Sequence, residues 1–406
     1  MNGPLTGIKV VDLTRVLAGP YSTMILADLG ARVIKIERPG KGDDTRSFGP
    51  PFLKDRDGND TTDAAYYLAA NRNKESITVN LSKPEGQAVV RKLLADADLL
   101  VENFKTGDLS KFGLGYDDLK ATHPGLIYCS ITGFGQTGPY AERAGYDFLV
   151  QAMGGLMSVT GNADSVPGGG PLRVGVPISD LLTGMYAAIA MLGAIAHKKD
   201  TGRGQLVDIS LLDSTVATLS NQAMNFLTTG KAPGRSGNTH PNIVPYQAFA
   251  TADGFIVVAV GNDAQFVRYA AVIGHPEMVS DPRFATNIER VRNRDILVPM
   301  IEAAMRQRPS AEWYAALEKA DISCGPINTI DSVFADPQVQ ARQMRIELDH
   351  PLSGKVPLIG SPLKLSDSPV SYRRHPPLLG EHTEAVLREI GLNDADIAAY
   401  RSKGVV

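Results

Sequence analysis

Short apolar runs and longer amphipathic stretches alternate along the first half of the chain. Ile8–Leu13 (IKVVDL), Arg32–Glu37 (RVIKIE), Ser76–Asn80, Leu99–Glu102 and Leu126–Ile131 have the length and β-branched content of strands. Between them, Tyr21–Leu29, ended by Gly30, and Pro84–Asp96 carry helical periodicity. This βαβ order predicts an α/β fold with a parallel sheet, right-handed crossovers, and a ligand beyond the carboxyl ends of the strands. The longest apolar run, Leu181–His197, holds no Asp, Glu, Lys or Arg and is rich in Ala, Leu, Ile and Met, so it predicts a helix buried nearly all round. Asp180 stands where its N-cap belongs, with Ser179 an equally good cap. Lys198, Lys199 and Gly202 close it, and Gln205–Leu211 alternates as a strand.

The second half reads differently. A long helix over Ser214–Leu227 leads into the loop Thr228–Asn242, then two strands, Tyr246–Phe249 and Gly254–Val260. Helical stretches fill Ala264 to Lys319, and Ile322–Ile330 and a helix-like Asp336–Met344 return toward a proline-rich tail.

Composition narrows the function. The 406 residues are 43% hydrophobic and 21% charged, with a net charge of -3, which gives no reason to expect nucleic acid or an anionic membrane as partner. Cys129 and Cys324 sit in apolar contexts and read as buried free thiols. No HxxxH or CxxC spacing suggests a metal. The opening MNGPLTG lacks a basic and apolar leader, and Leu181–Ala196 is short for a bilayer, so a cytoplasmic protein is expected.

The chemistry centres on Asp180. A carboxylate at a helix N-terminus is held ionised by the macrodipole, and an ionised, positioned carboxylate attacks activated acyl groups. Gly175 and Gly184 leave room for a ligand; the alternative is a plain cap. The first βα loop has only Gly19 and lacks GxGxxG, which argues against a nicotinamide dinucleotide. Arg15, Arg38, Arg72 with Lys74, and Lys105 with Lys111 fall at successive strand ends; they suit a polyanionic ligand or form an ordinary charged rim.

Several stretches together carry a resemblance: Ile8–Pro20, Asp28–Pro39, Asn71–Val79, Val101–Gly115, Ser130–Pro139 (SITGFGQTGP), Gly145–Gln151, Pro171–Asp213, Cys324–Ile327 and Pro377–Thr383. With these the chain resembles the class III CoA-transferases of the CaiB/BaiF type from end to end. GDDTR at Gly42–Arg46, RAGYD at Arg143–Asp147 and IVPYQAF at Ile243–Phe249 are most similar to members acting on glutarate-type dicarboxylates. The resemblance implies a Rossmann-like large domain whose parallel sheet is formed from both chain ends, a smaller α+β domain between, and an interlocked homodimer. The boundaries it suggests are 1–213, a linker at 214–245, 246–325 for the small domain, and 326–406 for the returning part.

It further implies Asp180 as the nucleophile, acylated to a mixed anhydride and then converted to an aspartyl-CoA thioester, without a metal. Coenzyme A, brought as acyl-CoA, is expected against Val16, Leu17, Ala18, Arg38, Asn71, Arg72, Asn73, Lys74, Asn103, Phe104, Lys105 and Lys111. Gly133 and Gln136 of the glycine-rich loop join that set, and backbone N–H groups of Gly133–Gly138 are the expected oxyanion donors. Arg143, Arg173 and His240 are candidates for the distal carboxylate of a diacid. Thr132 and Gln136 replace a lysine and a glutamate of the formyl-CoA transferases, and GNTHPN at Gly237–Asn242 replaces their glycine lid, so formate and oxalate are not expected. An α-methylacyl-CoA racemase needs a histidine in GHD, where this chain has Gly145-Tyr146-Asp147, and tyrosine is no base near pH 7. A non-catalytic CoA-binding module is the rival of another class.

Overall fold

The computed structural model describes residues 3–406. Six strands form one wholly parallel sheet: β1 (Lys9–Asp12), β2 (Arg32–Glu37), β3 (Lys74–Thr78), β4 (Leu99–Glu102), β5 (Ile127–Thr132) and β6 (Leu206–Ser210), in the order β3-β2-β1-β4-β5-β6. That is the doubly wound order, and its switch point lies where β1 pairs with β2 on one side and β4 on the other. Alternate residues feed two cores. Val11, Ile34, Ile36 and Leu100 face one core, against α2 (Pro84–Leu94). Val10, Val33, Leu99 and Val101 face the other, against α1 (Ala18–Asp28) and α4 (Ile178–Thr201). The short α3 (Asp147–Met153) and α5 (Leu211–Thr218) pack beside α4.

The chain divides into two compact units. The first holds the described residues up to Leu156, Val174–Met224 and Pro337–Val406; the second holds Met157–Arg173 and Asn225–Asp336. The returning C-terminal part adds no strand to the sheet, contrary to expectation. It contributes Val386, Leu387 and Ile397, on two helices, and Leu392 between them, to the α2 core. The second unit has its own antiparallel sheet, of Tyr246–Ala250, Phe255–Ala259 and Ser323–Pro326, over a core that includes Phe249, Val258 and Trp313.

Three local expectations change. Helix α4 is buried on one face only: Ala187, Met191 and Ala194 are inside, while Met185, Tyr186 and Ile189 are exposed. By length and composition it is also the one helix among the described residues able to cross a bilayer, but its inner face belongs to the sheet's core. The helix expected over Ser214–Leu227 is two, Leu211–Thr218 and Ser220–Thr229, broken where Ser220 takes φ +46°. Cys129 is buried, whereas Cys324 is half-buried.

Candidate active site

Everything needed for a ligand site gathers at the carboxyl ends of β1, β2, β4 and β5. The loop after β1 is clamped twice. Asn103, just past β4, accepts from the Arg15 N–H (2.9 Å) and donates to the Arg15 carbonyl (2.7 Å). Asp43, past β2, accepts from the Val16 N–H (3.1 Å), which holds Val16 at φ +70°, a region that a β-branched residue enters only under constraint. Asp43 is itself fixed by Lys35 (2.8 Å) and by the Thr45 N–H and hydroxyl.

Two cavities open along these loops and share Arg15 and Phe104, whose guanidinium and ring lie 5.5 Å apart. One, of about 260 Å³, is walled by Arg38, Gly42, Asn80–Ser82 and Phe112. The other, of about 560 Å³, takes in Val16–Ala18, Asn103, Lys105, Gly133, Arg143 and Asp180. Of the coenzyme positions expected from the sequence, Val16, Leu17, Ala18, Arg38, Asn103, Phe104, Lys105 and Gly133 therefore meet on this one crest.

Six do not. Asn71, Arg72, Asn73 and Lys74 are buried and committed to the protein. The Lys74 ammonium donates to Asp12 (3.2 Å), the Pro20 carbonyl (2.9 Å) and Asn71 Oδ1 (3.0 Å). Arg72 binds Asp28 through two nitrogens, and Asn73 donates to the same carboxylate (2.8 Å). Strand β3 begins at Lys74, two residues earlier than expected, so the backbone of these four lies at the amino end of the strand and their side chains are spent on internal partners. Asn80–Ser82, past its carboxyl end, take the wall instead. Lys111 is exposed, paired with Asp108 (2.6 Å), and lines neither cavity. Gln136 lines a third cavity of about 330 Å³, donating to Ser130 Oγ (2.8 Å). There burial pushes the Glu102 carboxyl up to about 7, against the opposing bonds from the Ser130 hydroxyl and the Phe104 N–H.

Asp180 is not the helix cap. Helix α4 starts at Ile178 after Pro177, which offers no side-chain acceptor, and Asp180 sits in the first turn. The acceptor comes from α3: Asp147 Oδ1 receives the Ser179 N–H (2.8 Å) and the Asp180 N–H (3.4 Å). Thr215 of α5 donates to the Ser179 hydroxyl (2.8 Å). Burial, and after it the Asp147 charge, pushes the Asp180 carboxyl up to about 7, so the helix end does not keep it in the ordinary carboxylate range. Burial and then the charges of Asp180 and Asp147 push the Tyr66 phenol up to about 12. Gly184 serves helix packing rather than a ligand: a Cβ there would meet the Ala18 carbonyl at 2.7 Å.

The cations divide clearly. Arg15 pairs with Asp44 (3.0 Å), whereas Arg38, Lys105 and Arg143 have no acidic partner among the described residues. Arg143 lies over the rings of Tyr140 (4.7 Å) and Phe134 (5.4 Å), which fix its guanidinium without neutralising it. Arg173 and His240 belong to the second unit; Arg173 is exposed there, and His240 packs on Tyr246, 5.1 Å between ring centres. Sequence reasoning missed Asp147 and Tyr66. The one local signal for Asp147 was negative, a helix start preceded by proline and so in need of a cap from elsewhere.

A family described as CoA-transferase family III matches residues 5–383. The chain is 47% identical over 387 residues to succinate–glutarate CoA-transferase of Agrobacterium fabrum, covering 95% of this chain and 96% of that one. It is 45% identical over 404 residues to human succinyl-CoA:glutarate CoA-transferase, covering 99% and 90%. Among solved structures, a CAIB/BAIF family protein from Brucella suis superposes with a TM-score of 0.84 at 48% identity, over 96% of this chain and 100% of that one.

Proposed function

Since the chain belongs to CoA-transferase family III, we propose that it carries CoA from succinyl-CoA to a dicarboxylic acid of the glutarate class, with Asp180 as nucleophile. The observation that carries the diacid reading is Arg143, an unneutralised cation held by two rings in the cavity that also holds Asp180. A monoacid has no use for it; the distal carboxylate of a diacid does.

The coenzyme runs from the smaller cavity to the larger. Arg38 and Lys105 meet its phosphates, and Val16–Ala18 flank the pantetheine arm. The Asp180 carboxylate attacks the thioester carbonyl, the C–S bond breaks, and CoA leaves as thiolate. The thiolate attacks the aspartyl carbonyl of the anhydride and releases succinate. The acceptor carboxylate attacks the resulting aspartyl thioester, whose C–S bond breaks to give a second anhydride and CoA thiolate; the thiolate then attacks the acceptor carbonyl and Asp180 leaves as carboxylate. Only the ionised form of Asp180 starts the cycle, so a carboxyl titrating at about 7 gives activity that rises with pH through that value. A homodimer is part of the proposal: Phe148 of α3 and Met185 and Ile189 of α4 form an apolar face that a second copy covers.

The test is a panel of acceptors offered with succinyl-CoA. Glutarate-like diacids outrun monoacids of the same length, and equal rates overturn the diacid assignment. Mass spectrometry of chain mixed with succinyl-CoA and trapped with hydroxylamine places the modification at Asp180; a modification elsewhere overturns the nucleophile.

A further inference from the structure

Asp147 is hard to explain as an ordinary surface acid. It is buried, its carboxylate accepts three N–H bonds, and it has no cation among its hydrogen-bond partners. Oδ1 takes the Ser179 and Asp180 N–H groups, and Oδ2 takes Gln151 Nε2 (2.7 Å). Gln151 is fully buried and accepts with its other end from the Val174 N–H (2.9 Å), so the bonds join α3, the approach to α4 and the first turn of α4. A serine would cap that turn without bringing a charge. The chain instead places a second negative group beside the one that reacts.

We infer that Asp147 is a positioning residue of the transfer reaction: its carboxylate holds the backbone of the nucleophile's turn, and its negative charge favours the acylated states of Asp180 over the free carboxylate. This rests on Asp180 being the nucleophile. Acylation forms a bond from an Asp180 oxygen to the acyl carbon and breaks the C–S bond, whose electron pair leaves on sulfur. The negative charge thereby moves from Asp180 to the thiolate, and the repulsion from Asp147 is relieved at that step. In the aspartyl thioester, too, Asp180 is neutral. A like charge beside the free nucleophile also raises its basicity and with it its nucleophilic strength.

Other groups around Asp180 do not supply the same effect. On the elements packed against α4, α1 presents Tyr21 at Gly184, and α5 presents the neutral Thr215 at Ser179. Asp213 of α5 is exposed, and Asp208 of β6 accepts from the Gln136 N–H. Tyr66 is neutral across the working range, and the cations Arg15, Lys105 and Arg143 line the cavity together with Asp44 and Asp108.

The experiment compares wild type, Asp147→Asn and Asp147→Ser, both able to accept the backbone N–H bonds without the charge. The acid limb of kcat/KM against pH moves down by ~1 unit in both variants, and the fraction of chain trapped as the Asp180 adduct after mixing with succinyl-CoA falls ~10-fold. A purely structural role lowers the rate without moving the limb, and an unmoved limb in a folded variant overturns the inference. Failure of both variants to fold overturns it as well, since Asp147 is then a structural residue. Absence of the adduct in wild type is a separate result, and it removes the nucleophile assignment itself.

Discussion

Asp12 is fully buried and Asp180 half-buried in the same unit, and their surroundings push them in opposite directions. Burial alone raises Asp12, but Lys74 and Lys35 with the Thr14 and Thr23 hydroxyls outweigh it and hold the carboxyl below its usual range. The lattice around it is closed: Lys35 bonds Asp43, whose own burial is outweighed until it lies at about 2, and Lys74 bonds Asp12. Arg46, Glu37 and Asp63 form a second buried ion-pair cluster nearby. At the start of α4, burial and a like charge both raise Asp180, and no cation among the described residues bonds it. Closed charge lattices fix the loops of the crest; the open, unfavourable charge is kept at Asp180, the proposed nucleophile.

The sharpest way to break this contrast is to remove the open charge. Asp180→Asn should lower transfer by ~10⁴-fold or more while the coenzyme still binds, read by turnover and by equilibrium binding of CoA. Removing a member of the closed lattice should do the reverse. Lys74→Met leaves Asp12 buried without its partner and should cost about 3–5 kcal/mol of stability in urea titration, with activity retained in whatever fraction stays folded. Next in size, Arg143→Met should raise KM for diacids ~10- to 100-fold and leave monoacids unchanged. The smallest effect concerns stability against pH. A carboxyl raised to about 7 in the folded chain, against an unfolded value of 3.8, contributes stability that is fully present below the unfolded value and is lost as pH rises through 7. Wild type should therefore lose roughly 1–2 kcal/mol relative to Asp180→Asn between pH 4 and 7, less than full linkage because the carboxyl keeps some water. Parallel stability curves for the two chains would mean that Asp180 is not the strained group.

The sheet was legible because most of its strands are what hydrophobic patterning detects. Arg32–Glu37 and Leu99–Glu102 fall where the apolar runs place them. Strand β3 was misread by two residues for a physical reason: Lys74, Glu75 and Ser76 are polar yet buried, each satisfied by partners distant in sequence, and hydropathy does not see such pairing. Hydropathy likewise gives no sign that Arg72 and Lys74 are already paired with Asp28 and Asp12. Asp180 stood out through its position and the motif around it. Its partner Asp147 did not, since thirty-three residues separate two groups that meet only when α3 packs beside α4. Arg143 was one of three candidates in the sequence, and the fold places it in the cavity with Asp180.

The meeting of Gly133 with Gly145 has its own consequence. A Cβ on either would stand 2.5 Å from the other's Cα, so the turn after β5 and the turn before α3 cross backbone to backbone. No side-chain adjustment relieves a substitution at one glycine, because what lies opposite is main chain. The crossing works as a rivet: it ties the turn that carries Tyr146 and Asp147 to the end of β5 and closes Phe134–Ala144, with Arg143 in it, into a loop.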